Sequence, residues 1–132
     1  MHYKKGFMKY LITTIATVML VGTAFADPLH DAASNGDLAG LQAELDKGVD
    51  VDEGDDSWPE MTPLHYAVGE GHTKVVELLI ANGANVNAKN NWKGTPLDIA
   101  TNPENPIDTA ETADLLRKHG GKTGEELKAE GK

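Results

Sequence analysis

The residues of this 132-residue chain whose types could carry chemistry are five histidines, one dense acidic run and two tryptophans. His2, His30, His65, His72 and His119 include no H-E-x-x-H pair, so the spacing that places two imidazoles on one helix face for zinc is absent. No cysteine occurs, which removes a thiolate nucleophile, a cysteine-anchored lipid and any disulfide. Neither a glycine-rich phosphate loop nor a G-x-S-x-G elbow is present. Asp50, Asp52, Glu53, Asp55, Asp56 and Glu60 place six acids in eleven residues and invite comparison with a twelve-residue calcium loop. Counted from Asp50, the position that needs glycine is Asp55 and the one that needs a bidentate glutamate is Met61. The template fails, and a solvated acidic loop is the reading that remains. No catalytic residue, metal or cofactor is expected. What is left is recognition, for which Trp58 and Trp92 stand out, since indoles anchor protein interfaces. Each ring could instead pack on the neighbouring finger and stiffen it.

The elements that position these residues are set by a pattern written three times. Its fullest copy runs from Thr62 to Ala88, with Leu64 as reference. Leu29, in Pro28-Leu29-His30-Asp31-Ala32, lies 35 residues upstream, and Leu97, in Thr95-Pro96-Leu97-Asp98-Ile99-Ala100, lies 33 downstream. A period near 33 marks a repeat array. Within the second copy, Thr62 is a good helix N-cap and Pro63 suits the first helical turn. Leu64, Ala67 and Val68 form a short apolar stripe that Gly69 and Gly71 end. Val75, Val76, Leu78, Leu79 and Ile80 then supply a second helix, stopped at Asn82-Gly83. Neither helix can bury its stripe alone, so the copies must stack as a solenoid. Asn85 to Gly94 is too polar and turn-rich for helix and predicts an extended, direction-reversing finger.

These residues resemble the ankyrin repeat. Its TPLH, GH, LL and GAxVN elements stand here as Thr62-Pro63-Leu64-His65, Gly71-His72, Leu78-Leu79 and Gly83-Ala84-Asn85-Val86-Asn87. The resemblance covers residues 27–122 and implies an all-α solenoid of about three helix-turn-helix repeats, near 27–61, 62–94 and 95–122, with β-hairpin-like fingers. It also implies binding through finger tips and the exposed ends of the first helices. In this chain those are Asp52, Glu53, Asp55, Asp56, Trp58 and Glu60; Lys89, Asn90, Asn91, Trp92 and Lys93; and Ser34, Asn35, Glu70 and Asn102. Thr62, Pro63, Leu64, His65, Gly71, His72, Leu78, Leu79, Gly83, Thr95, Pro96 and Leu97 are implied to be structural.

The end copies depart from the pattern. In the first, Asp27 replaces threonine as N-cap, Asn35-Gly36-Asp37 replaces the Gly-His turn, and Leu38, Leu41 and Leu45 keep a thinner stripe, as suits a terminal repeat. The connection to the second copy is two residues longer than the next one. In the third, Asn102-Pro103-Glu104-Asn105-Pro106 lengthens the turn by four residues, and two prolines forbid helix through it. Asp108 with Glu111 is expected to form a capping box for the following helix, and Thr123 with Glu126 another for a short lid over residues 123–132. Asp98 stands where the family has histidine, so the hydrogen bonds expected of His30 and His65 cannot be repeated there.

Residues 1–26 carry Lys4, Lys5 and Lys9, then an uncharged run and Ala24-Phe25-Ala26, the pattern of a secretory signal peptide cleaved after Ala26. The run is short for a membrane anchor and diluted by Thr13, Thr14 and Thr17. Met8 is an alternative start. Removing this segment moves the formal charge from −9 to −12. Such a surface disfavours nucleic acid and anionic membranes, and favours a protein partner. The expectation is a monomeric, non-catalytic interaction module in the periplasm or outside the cell. The alternative is an acidic inhibitor or protective partner of a basic exported enzyme.

Overall fold

A computed structural model describes residues 27–56 and 59–132. The expected leader, with His2 and Met8, and Trp58 in the acidic connection lie outside the described residues. Among those described, the chain forms seven helices and no strand: α1 Pro28–Asn35, α2 Leu38–Asp46, α3 Pro63–Gly69, α4 Thr73–Ala81, α5 Pro96–Ala100, α6 Ala110–Lys118 and α7 Gly124–Ala129.

Local chemistry starts each first helix in the same way. Asp27, Thr62 and Thr95 occupy the N-caps, their side chains accept from the backbone N–H of Leu29, His65 and Asp98, and proline follows in the first turn. The helices are too short to persist alone, so packing decides. α1, α3 and α5 touch in sequence as one row, α2, α4 and α6 as a second, and each pair within a copy joins the rows. Alanines at 33, 67 and 100 keep the first row close, while Leu29, Leu41, Leu64, Val68, Val75, Val76, Leu79, Leu97 and Leu116 fill the space between rows. Each such side chain stabilises the fold by roughly 1.5–3 kcal/mol. The second copy, covered on both sides, holds Leu64, His65, Val68, Val75, Val76 and Leu79 fully buried.

Three expectations need revision. Asp108 and Glu111 form no capping box. Instead α6 begins at Ala110 after Thr109, whose hydroxyl donates to the Ala100 carbonyl at 2.6 Å, while Asp108 Oδ1 accepts from Ala110 N at 3.1 Å in a tight local turn. Ile107 therefore lies outside the helix and is exposed. The prolines at 103 and 106 hold the chain in turns until Thr109 can reach back to α5, which is why the helix starts late. In the first copy Leu41 is buried and Leu45 half-buried, but Leu38 is exposed at the start of α2. The described parts of the fingers are closed by turn hydrogen bonds, with no β-ladder.

The expected lid is present as α7. The Thr123–Glu126 capping box forms, and Leu127 is 4% exposed although it is not part of the contiguous core. Arg117 donates to both oxygens of Glu126 at 2.9 and 2.7 Å, a fork that holds this carboxyl down at about 2. Gly124 meets the Lys93 carbonyl so closely that an added Cβ would stand 2.5 Å from that oxygen, so the helix is seated directly on the second finger.

Candidate protein-interaction surface

Both fingers are closed at the root by the same device. Asp55 N donates to the Met61 carbonyl at 3.0 Å while Asp55 Oδ1 accepts from Met61 N at 3.0 Å. Asn90 N donates to the Gly94 carbonyl at 2.9 Å while Asn90 Oδ1 accepts from Gly94 N at 2.9 Å. The two closures are equivalent positions of the repeat, so the two extra residues of the first connection fall wholly in its tip. Asp55 Oδ2 also accepts from the Tyr66 hydroxyl, and Asn90 Oδ1 from Trp92 N. Asp55 and Asn90 are thus fastenings of the surface as well as members of it.

Three further ties hold the fingers and helix ends in register from copy to copy. The first is the repeat histidine. His30 Nε2 donates to the Met61 carbonyl at 2.9 Å and His65 Nε2 to the Gly94 carbonyl at 3.1 Å, each reaching the root of the finger that follows its own helix pair. His65 is fully buried, and its Nδ1 accepts from Thr62 N at 3.1 Å. One ring nitrogen accepts and the other donates, so the neutral imidazole is the fitted form. Burial pushes its pKa down, against the upward pull of the Gly94 carbonyl and of Asp55 and Asp98 nearby. His30 Nδ1 faces Asp27 Oδ2 at 2.9 Å, within ion-pair reach but not aligned as a hydrogen bond.

The second tie links each turn to the preceding first helix. His72 Nε2 donates to the Ser34 carbonyl at 2.9 Å, and its ring lies so near Gly36 that a Cβ there would come within 2.9 Å of Nδ1. With φ +72°, Gly36 is also in the left-handed region that disfavours other residues. In the lengthened third turn Asn105 Nδ2 donates to the Gly69 carbonyl at 3.2 Å, the position equivalent to Ser34. The third tie is at the finger base: Asp52 Oδ1 accepts from Asn85 N at 2.8 Å, and Asn87 Oδ1 accepts from Lys122 N at 2.7 Å.

At Asp98 the first tie reverses polarity. Oδ2 accepts from Thr95 N at 2.9 Å and from Gly124 N at 2.8 Å, so the carboxylate receives a backbone donor where histidine gives one to a carbonyl. This fits the chain there, since the partner is the first amide of a helix rather than a finger-root carbonyl.

Pro59, Met61, Asn90, Trp92, Gly94, Asp98, Ile99 and Asn102 together line an open groove of about 270 Å³ between the fingers and α5. The Trp92 indole on its rim is 65% exposed.

Three stacked helix pairs, finger-root closures at equivalent positions and a histidine tie from each of the first two pairs to the finger root that follows make a specific constellation. A family profile described as "Ankyrin repeats (3 copies)" matches residues 29–124. The chain belongs to the ankyrin-repeat family. Its relatives include the 2-5A-dependent ribonuclease of Mus musculus, 38% identical over 72 residues, which are 54% of this chain and 10% of that protein. The ankyrin repeat and KH domain-containing protein mask of Drosophila melanogaster is 40% identical over 70 residues, 53% of this chain and 2% of that protein. The ankyrin repeat and SOCS box protein 5 of Homo sapiens is 38% identical over 74 residues, 56% of this chain and 22% of that protein. The chain thus spans about a fifth or less of the length of these relatives. Ankyrin repeats are protein–protein interaction modules and generally non-catalytic.

Within the ankyrin array the anticipated surface residues divide. Asn90, Trp92 and Asn102 meet at one groove. Glu53, Asp56, Glu60, Asn91, Lys93, Asn35 and Glu70 are exposed. Lys89 is exposed, but its Nζ donates to the Lys132 carbonyl. Asp52 and Asp55 are committed to backbone donors, and Ser34 offers a carbonyl already taken by His72. Met61, Pro59, Ile99 and Asp98 belong to the groove and were not anticipated. The only cue in the sequence was Asp98 itself, a departure from the repeat at a position facing the neighbouring finger.

Proposed function

We propose that this ankyrin domain is a non-catalytic protein-interaction module, exported through a leader cleaved after Ala26, that engages its partner with the fingers and the ends of α1, α3 and α5. The observation that carries the reading is the exposed Trp92 ring on a finger whose root is closed by hydrogen bonds. Asn90 and the Gly94 amide close that finger without the ring, which supports recognition over a strut role for Trp92. A large exposed indole on a fixed support binds with little loss of conformational freedom.

The exposed acids Glu53, Asp56 and Glu60 motivate the second reading, an acidic inhibitor or protective partner of a basic exported enzyme. Association kinetics with a partner recovered from an exported-protein extract separate the two. Trp92→Ala should speed dissociation with little salt dependence, at a cost of about 2 kcal/mol or more. Neutralising Glu53, Asp56 and Glu60 to Gln or Asn should instead slow association, as raised salt does, if charge steers the encounter. Asp52 and Asp55 are left intact, because their loss would damage the finger. Unchanged kinetics in both sets of variants would refute the surface. Intact mass of exported protein beginning at Met1 or Met8 would refute the cleavage.

A further inference from the structure

The groove beside Trp92 has apolar walls and one charge. Pro59, Met61, Ile99 and the indole of Trp92 supply the walls, and Asp98 is the only ionised side chain among the described residues that line it. Asp98 Oδ2 is occupied by Thr95 N and Gly124 N, whereas Oδ1 has no hydrogen-bond partner among the described residues, and the residue is half-buried. Of the lysines on the same finger, Lys89 is turned away to the C-terminal carbonyl and Lys93 does not line the groove. The site therefore suits a side chain that is apolar along its stem and cationic at its tip.

We propose that this groove receives an arginine side chain from an extended segment of the partner, its stem between Met61 and Ile99, its guanidinium on the Trp92 ring and bonded to Asp98 Oδ1. The assignment rests on the fingers and helix ends being the interaction face, and adds the chemistry of what they grip. A planar guanidinium stacks on an indole and bonds a carboxylate in fixed geometry, which a hydrated ammonium does less well. Charge agrees at longer range, since Glu53, Asp56 and Glu60 are exposed on the adjacent finger. A histidine at position 98, as in the first two copies, would supply no anionic oxygen, so this subsite belongs to this chain's departure from the repeat.

The test is a titration of the full chain with four acetylated, amidated heptapeptides that differ only at the centre: arginine, lysine, citrulline and leucine. The indole N–H resonance of Trp92, assigned by its loss in Trp92→Leu, reports binding. The arginine peptide should shift it saturably, with the lysine peptide at least threefold weaker and citrulline and leucine at least tenfold weaker. Asp98→Asn, which keeps acceptors for Thr95 N and Gly124 N, should weaken the arginine peptide about tenfold while the unfolding midpoint changes little. Glu111→Gln on α6 should leave binding unchanged. Equal shifts from all four peptides would overturn the arginine assignment and leave an apolar interaction surface standing. Arginine binding that survives Asp98→Asn would overturn the role of the carboxylate. Silence from all four peptides overturns the subsite, and the Trp92→Ala kinetics above then judge the face independently.

Discussion

Asp55 tests whether the acidic finger is built or merely charged. Its Oδ1 accepts from Met61 N, its Oδ2 accepts from the Tyr66 hydroxyl, and its own N–H donates to the Met61 carbonyl that His30 also holds. Asp55→Ala leaves the backbone donor in place but removes both carboxylate acceptors from part-buried groups. A hydrogen bond to a charged group is worth about 1.5–3 kcal/mol, and water can reach part of this site, so the expected loss is about 2–4 kcal/mol. That is a large share of a domain whose total stability is of order 5–15 kcal/mol. Asp56→Ala, one residue along and exposed, should change stability by less than about 0.5 kcal/mol. Asp55→Asn should fall between them, because an amide oxygen can still take the Met61 N–H. The assay is urea unfolding followed by far-ultraviolet circular dichroism, with equal slopes required before midpoints are compared. If Asp55→Ala and Asp56→Ala shift the midpoint equally, the carboxylate fastens nothing and the account of the finger root is wrong.

Two further outcomes follow from burial and charge. Leu79, fully buried in the twice-covered second copy, should cost about 2–5 kcal/mol as Leu79→Ala, whereas Leu127→Ala should cost much less because α7 lies outside the contiguous core; equal urea midpoints would contradict this. Stability should fall on acidification in two windows. His65 has a folded pKa below its ordinary value of 6.5, so its contribution is complete above that pH and is lost as pH falls below it; the carboxyl of Glu126, held at about 2 by Arg117, loses its contribution as pH falls from its ordinary value of 4.5 toward 2. Thermal midpoints that fail to fall between pH 7 and pH 5 in the wild type, or that fall as much in His65→Gln, would refute the first window.

Much of the fold was legible because three kinds of signal agreed. Threonine before proline, apolar residues at helical spacing and glycine at the stops each specify the same helix pair, and the period says that the pairs must stack. The hydrogen bonds expected of His30 and His65 could be anticipated for the same reason. The start of α6 was not legible. Asp108 and Glu111 have the spacing of a capping box, but the box competes with a tertiary bond from Thr109 to α5, and spacing along the chain carries no information about that partner. Leu38 misled similarly, since a helical stripe says which residues share a face and not whether a neighbour covers all of it. Acidic type alone could not separate Asp55, which fastens the finger, from Asp56, which is exposed.

The third copy shows why a departure from the repeat need not weaken the array. Lengthening its turn removes the imidazole that ties the second copy to the first, but Asn105 brings an amide donor to Gly69, the equivalent carbonyl. Replacing histidine by Asp98 removes a donor where no further finger follows within the described residues, and supplies an acceptor where a helix begins instead. Each change substitutes the side-chain chemistry that the new backbone partner requires, so every tie is conserved in function while its polarity follows the geometry. The exchange at 98 has one consequence that the others lack. An imidazole uses its two nitrogens on opposite sides, one to the cap and one to the finger root, and has no atom left for the groove. A carboxylate completes both bonds through a single oxygen and leaves the other uncommitted among the described residues, so the residue that closes the stack also brings the groove it shares with Trp92 its charge.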